Sequence, residues 1–318
     1  MVAERRVKPQ KKPLLAQCRD RWQLFLFMLL PLVFVLIFEY YPVFGEQIAF
    51  KNYSVGKGIW GSPWAGFRNF ERFFKSFQFS RVVGNTLKIS LYSLAVSFPL
   101  SFAFALMLNL VRGARFKKMV QTITYIPHFI SVVVVVGMIN QVFNPVVGLY
   151  GNLYRLFVPD VYPENLLTNP NTFIHFYVWS SVWQSLGWNT IIYIAALSSV
   201  DPELHEAAEI DGASRLRRVI HIDMPAILPT ASIMLILNAG SLMSVGFEKV
   251  YLMQNSMNLL YSEVISTYVY KTGMTGGGAN FSYATAIGLF NSVINCAMLL
   301  GVNLLAGKLG DGEGATLF

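Results

Sequence analysis

Between Asp201 and Pro229 the sequence gathers charge that it withholds from its long apolar runs. Glu203, Glu206, Glu209 and Asp211 come first and Arg215, Arg217 and Arg218 follow, with Ala207, Ala208, Gly212 and Ala213 among them. The stretch holds no catalytic constellation and no metal-ligand spacing, so the chemistry it offers is contact. Ala207 and Ala208 leave a smooth surface that a partner can approach closely. Glu206 and Glu209 present negative charge to basic groups, and the three arginines present the opposite sign. A solvated loop carrying a short interfacial helix is the plainer alternative.

Local rules give this stretch a shape. Asp201 suits the N-cap, Pro202 the first helical position, and Glu203 the positive end of the helix dipole. Gly212 supplies the freedom to end that helix in a sharp turn. A second helix is expected from Ser214 to about Ile222, with Pro225 and Pro229 punctuating entry to the next apolar run.

A second set of polar groups lies inside apolar runs, where they are costly and usually face a bundle interior or a water-filled cavity. The candidates are Asn140, Gln141, Gln184, Asn189, Asn238, Ser241, Ser244, Asn291 and Asn295. Asn291 and Asn295 share a helix face, and Asn238, Ser241 and Ser244 step by three. Amides and hydroxyls suit a neutral, hydroxyl-rich solute better than a strongly ionic one. Trp179, Trp183 and Trp188 add flat apolar faces for sugar rings. Inter-helix hydrogen bonds and interfacial aromatic belts use the same residue types. His128 and His175 have no carboxylate at a spacing that makes a proton relay.

The elements that position these groups are membrane helices. Hydrophobic residues make up 54% of the chain and charged residues 13%, a composition that would leave a soluble fold with too much apolar surface. A crossing helix needs about 20 mostly apolar residues. Six runs qualify: Gln23–Tyr41, Ile89–Val111, Val120–Val142, Phe173–Leu197, Ala226–Phe247 and Ala284–Ala306. The expected fold is an all-α membrane protein with one six-helix domain over 23–306, a basic extension over 1–22, a tail over 307–318 and the loop 198–229. Arg5, Arg6, Lys8, Lys11, Lys12, Arg19 and Arg21 precede the first run, and Arg112, Arg115, Lys117 and Lys118 fill a later link. Basic residues stay on the cytoplasmic side, which puts both termini and the 198–229 loop there. The net charge of +8 is thus accounted for by the flanks, and no basic stripe with aromatic stacking points to nucleic acid.

The first run lacks a small-residue cleavage site and should remain as an anchor. Cys18 and Cys296 give no disulfide framework. Among the outward segments, Phe67, Phe70, Phe73, Phe74 and Phe77 recur at helical spacing, either in the interface or on the outer ends of the spans. Gly273, Gly276, Gly277 and Gly278 read as a flexible turn before the last span.

Glu206-Ala207-Ala208, then Asp211-Gly212-Ala213, then Ile222-Asp223-Met224-Pro225 and Pro229 resemble the EAA loop of ATP-binding-cassette (ABC) importer permeases. Leu216, Met224 and Val219 depart from the commoner residues of that motif. Gly66-Phe67-Arg68-Asn69-Phe70, Pro127-His128-Phe129-Ile130-Ser131 and Tyr268-Val269-Tyr270-Lys271-Thr272-Gly273 resemble the sugar-transporting members. So does Phe281-Ser282-Tyr283-Ala284-Thr285-Ala286. Tyr251–Tyr261 lacks the Gly-Gly-Pro of maltose-type permeases, which favours the polysaccharide and oligosaccharide branch.

The resemblance implies a type I ABC importer transmembrane domain in the bacterial plasma (inner) membrane. It implies that Glu206, Ala207, Ala208, Asp211, Gly212, Ala213, Ile222 and Pro225 couple to an ATPase. It also implies two ATPase subunits, a second homologous permease forming a heterodimer, and an extracellular solute-binding protein. With no Gly-x-x-x-x-Gly-Lys-Ser/Thr loop in this chain, ATP and magnesium fall to the ATPase and the permease is not itself an enzyme. An ion-coupled secondary transporter is the alternative, against which stands the near absence of Asp and Glu from the runs.

Overall fold

The computed structural model describes residues 22–275 and 280–309. Residues 1–21, Gly276, Gly277, Gly278 and Ala279, and the tail from 310 onward lie outside the described residues. Among the described residues the chain is helical, with one isolated bridge between Lys51 and Trp64.

Among the described residues, four helices are long and apolar enough to cross a bilayer. They are α1 (Trp22–Phe50), α3 (Phe77–Leu110), α9 (Arg215–Gly240) and α13 (Phe281–Leu309). The short α2 (Arg68–Phe74) precedes α3, and its Phe73 is fully buried against Phe79, Tyr283 and Phe290. Phe67 and Phe77 at its flanks stay exposed. Phe73 therefore packs on the ends of the long helices while its neighbours face outward.

The third apolar run is not one straight helix, contrary to expectation. It breaks into α4 (Ala114–Phe129) and α5 (Val132–Val142), which are bent by 97°. Pro127 sits in a 3₁₀ turn at Ile126–Phe129 and Ser131 starts α5 as an N-cap. A proline inside a helix removes a backbone bond and clashes with the preceding turn. Backbone freed at this depth must find another partner. Gln184 supplies one, donating from Nε2 to the Ile130 carbonyl at 2.8 Å.

After the short α6 (Leu149–Phe157) comes α7 (Pro170–Leu197), 28 residues long. At 1.5 Å per residue it spans about 42 Å, although its serines, amides and tryptophans keep it out of the apolar set. Gly187 lets α7 approach α4 closely, for a Cβ there would fall 2.4 Å from the Thr124 carbonyl oxygen.

Two further boundaries differ from the sequence expectation. The helix expected over Ala226–Phe247 begins at Arg215 and stops at Gly240. Pro225 and Pro229 do not interrupt it, because a π-helical turn at Val219–Asp223 widens the helix just before Pro225. The segment after Gly240 is no peripheral loop. It forms α10 (Phe247–Met253), α11 (Leu259–Ser262) and α12 (Ile265–Tyr270), which fold back into the bundle. Val250, Asn258, Ser262, Val264 and Thr267 in this segment are 0% exposed. Some of its polar groups are paired within the segment: Asn258 Nδ2 donates to the Met253 carbonyl at 3.0 Å, and Ser262 Oγ donates to Asn258 Oδ1 at 2.9 Å.

Helix α1 behaves differently from the rest. None of its residues from Trp22 to Val43 is buried. Only the last turn, Phe44–Phe50, packs against α13.

Candidate functional site

The Asp201–Pro229 loop is built as its capping residues dictate. Asp201 Oδ1 accepts from the Glu203 amide at 2.9 Å, and Pro202 opens α8 (Pro202–Ile210). Gly212 sits at φ +75°, a conformation that costs other residues roughly 1–2 kcal/mol. Its amide donates to the Glu209 carbonyl at 3.1 Å and that of Ala213 to Ala208 at 2.8 Å. These two bonds make a Schellman turn that satisfies the last carbonyls of α8.

Glu206, Ala207, Asp211, Gly212 and Pro225 are exposed, whereas Ala208, Ala213 and Ile222 are half-buried. Glu209 and Arg218, read from sequence as charges offered to a partner, pair with each other at 2.8 Å. An additional residue stands out at the tip of α8: Ile210 is 87% exposed, with Leu216 at 64%. Both are large aliphatic side chains left facing solvent. The signal was in the sequence, as one large aliphatic residue between Glu209 and Asp211.

Deeper in the bundle, α3, α7, α9 and the Ser241–Gly246 turn enclose a cavity of about 230 Å³. Asn189, Asn238, Ser241 and Ser244 line it, so these four sequence candidates come together. Sequence reasoning missed the opposite wall. Ser90, Ser93, Ser97 and Ser101 face the cavity from α3, stepping by three, four and four, which is helical periodicity read in serines. Buried helix serines usually bond back to a carbonyl one turn earlier. Ser93 Oγ and Ser101 Oγ are buried without a hydrogen-bond partner. Tyr177 closes one side, accepting at its hydroxyl from the Gly246 amide at 3.2 Å.

The other candidates lie elsewhere. Asn140 and Gln141 are exposed at the end of α5. Trp183 lines a separate apolar hollow with Trp179, Phe143 and Phe176. Trp188 stacks on His128, ring centroids 4.3 Å apart. Gln184 holds the α4–α5 break, as described above. Asn291 lines a groove beside α12 with Tyr270 and Glu46. Asn295 is a strut: Oδ1 accepts from the Met243 amide at 2.9 Å and Nδ2 donates to Ser244 Oγ at 2.8 Å. Asn291 and Asn295 therefore do different work although they share a helix.

One cation lies close behind the cavity. Lys249 of α10 is only 6% exposed, and its Nζ donates to Ser181 Oγ at 2.8 Å. It also sits 5.6 Å from the centroid of the Tyr177 ring. No carboxylate pairs with it among the described residues, and burial lowers its pKa to about 8. The other buried charge of this region is paired, Glu263 being met by Arg81 and by Lys271, the latter at 3.6 Å. Lys249 was hidden from sequence reasoning because its segment reads as an outward loop.

The chain as a whole is similar to known proteins. Residues 97–310 match the family model described as "Binding-protein-dependent transport system inner membrane component". LplB of Bacillus subtilis (strain 168) is 42% identical over 296 residues, covering 93% of this chain and 91% of that protein. The polygalacturonan/rhamnogalacturonan transport system permease protein YteP of the same organism is 40% identical over 304 residues, covering 96% and 94%. Among solved structures, a chain of a bacterial ABC transporter involved in the import of the acidic polysaccharide alginate superposes with a TM-score of 0.83 at 35% identity. The match covers 93% of this chain and 99% of that one. A second structure of a bacterial alginate ABC transporter, in complex with an alginate pentasaccharide-bound periplasmic protein, gives 0.83 at 34% identity, covering 95% and 99%. The chain belongs to the binding-protein-dependent transport system inner membrane component family, as a carbohydrate ABC importer permease.

Proposed function

We propose that this chain is one of two permease subunits of an ATP-driven importer for oligosaccharides or polysaccharide fragments. It crosses the bacterial inner membrane six times, counting the bent α4–α5 pair and α7, with both termini and the 198–229 loop in the cytoplasm. The exposed apolar stretch of α1 supports a second permease or lipid around it. Two ATPase subunits hold ATP and magnesium and dock on α8 through Glu206, Ala207, Ala208 and the Ile210 tip. A solute-binding protein delivers the sugar from outside.

The cavity between α3, α7 and α9 carries this reading of the cargo. Its polar lining is serine hydroxyls, amides and two tyrosines, without a charged residue, which suits a solute rich in hydroxyls. Lys249 behind Tyr177 supports a cargo that also bears carboxylates, and an alginate importer among the structural relatives supports the same class. An ion-coupled transporter finds less support, because the cavity offers no carboxylate to carry a proton.

The test is uptake into proteoliposomes holding the permease pair, the ATPase and a solute-binding protein. Uptake of labelled oligosaccharides, neutral and uronate-containing, is expected to require ATP and to survive an ionophore. Uptake without ATP that collapses with the ionophore would overturn the proposal.

A further inference from the structure

Asp223 is a carboxylate that the docking and cavity functions do not use, and it is 3% exposed. It ends the π-helical turn Val219–Asp223, where the wider helix interrupts the regular register of α9. Such turns often mark functional positions. His205 of α8 faces it, with Nε2 3.2 Å from Asp223 Oδ1. No donor meets that oxygen in hydrogen-bonding alignment, so the two side chains meet across the two elements without a hydrogen bond.

His205 is half-buried against α9, whereas Ala207 and Ile210 of the same helix stand exposed. The α8 helix thus has two functional sides, one open and one turned toward α9. A second link parallels the first: Arg218 of α9 pairs with Glu209 and donates to the His205 carbonyl at 3.4 Å. His205, Asp223 and Arg218 line a cavity of about 460 Å³, where Arg112, Arg215 and Glu206 are the other charged groups. Because Asp223 is buried, separating it from His205 would strand a carboxylate in a poorly solvated site. A displacement of α8 is therefore passed to α9, and α9 carries Asn238 of the serine-lined cavity.

We propose that His205 and Asp223 form a strut through which movement of α8 is converted into movement of α9, making both of them positioning residues for transport. The proposal rests on the reading that an ATPase drives α8. The variants His205→Ala and Asp223→Ala leave the outward side of α8 intact. They are expected to keep the ATPase bound and hydrolysing while uptake per ATP falls by about tenfold, within the usual span of site-to-site coupling. The exchange variant His205→Asp/Asp223→His is expected to restore most of that ratio. Unchanged uptake per ATP in the single variants overturns the strut. So does an exchange variant no better than the singles, or loss of the ATPase from either single, which would make the pair a folding element only. Failure of the unsubstituted permease to retain an ATPase overturns the proposed function instead.

Discussion

Lys249 donates from Nζ to Ser181 Oγ at 2.8 Å and meets no carboxylate among the described residues. A buried cation satisfied by one hydroxyl is a cost to the fold, so its replacement separates stability from function. Lys249→Met should raise the thermal unfolding temperature of the detergent-solubilised permease near neutral pH. It should also lower uptake of uronate-bearing oligosaccharides more than uptake of neutral ones. The pH dependence has a definite sign. The folded-state pKa is about 8 against 10.5 for the free side chain, so between those values the unfolded chain binds the proton that the folded one has lost. Stability contributed at this site is therefore lowest below pH 8 and rises across that window. Lys249→Met removes that slope, and a variant that unfolds at a lower temperature would show the cation to be paired.

Ile210 exposes 87% of its surface at the tip of α8. Burying an aliphatic side chain of this size is worth about 1.5–3 kcal/mol. Ile210→Asp places a charge where apolar contact is expected and is predicted to cut co-purification of the ATPase at least tenfold. Folding should be untouched, since the side chain contacts water in the free permease. Wild-type retention of the ATPase by Ile210→Asp would remove this residue from the interface.

The serine wall makes a separate prediction. Ser93→Ala and Ser101→Ala delete unpartnered buried hydroxyls without adding bulk, which costs the fold little. Both should leave ATP hydrolysis intact and raise the half-saturating sugar concentration, each lost hydrogen bond to a neutral hydroxyl being worth about 0.5–1.5 kcal/mol. Unaltered saturation in the double variant would argue that the sugar takes another route.

Legibility in the sequence divided along physical lines. Asp201, Pro202 and Gly212 act within a few residues of themselves, so the first helix of the loop and its turn could be read from residue type alone. Pro225 misled, because whether a proline breaks a helix depends on the turn before it, here a π turn at Val219–Asp223. Pro127 was read as one residue of a continuous span. Its break is tolerated only because Gln184, 54 residues from Ile130, reaches the freed carbonyl. Asn189, Asn238 and Ser241 were recognisable by polarity inside apolar runs, but Ser90 to Ser101 are small and common enough to pass as helix packing. The burial of α10 to α12 was the least accessible feature. A segment with Lys249, Glu263 and several amides has the composition of a loop, and only the partners inside the bundle make its burial affordable.

Gly187 and Gln184 together hold the crossing of α7 over the α4–α5 break, and each can be tested alone. A Cβ at Gly187 would lie 2.4 Å from the Thr124 carbonyl oxygen and 2.6 Å from its carbon. Those are backbone atoms with no rotamer to give way, so Gly187→Ala must push the two helices apart, at about 1–3 kcal/mol. Gln184→Leu keeps the volume but leaves the Ile130 carbonyl without its donor, a loss of roughly 0.6–1.7 kcal/mol by the usual range for hydrogen bonds between membrane helices. Thermal unfolding in detergent should order the proteins as wild type, then Gln184→Leu, then Gly187→Ala. The His128–Trp188 stack spans the same crossing at 4.3 Å, so the tryptophan fluorescence of Gly187→Ala should change even below its unfolding temperature. An unchanged spectrum and unfolding temperature would mean that the helices cross farther apart than the close contact at Gly187 requires.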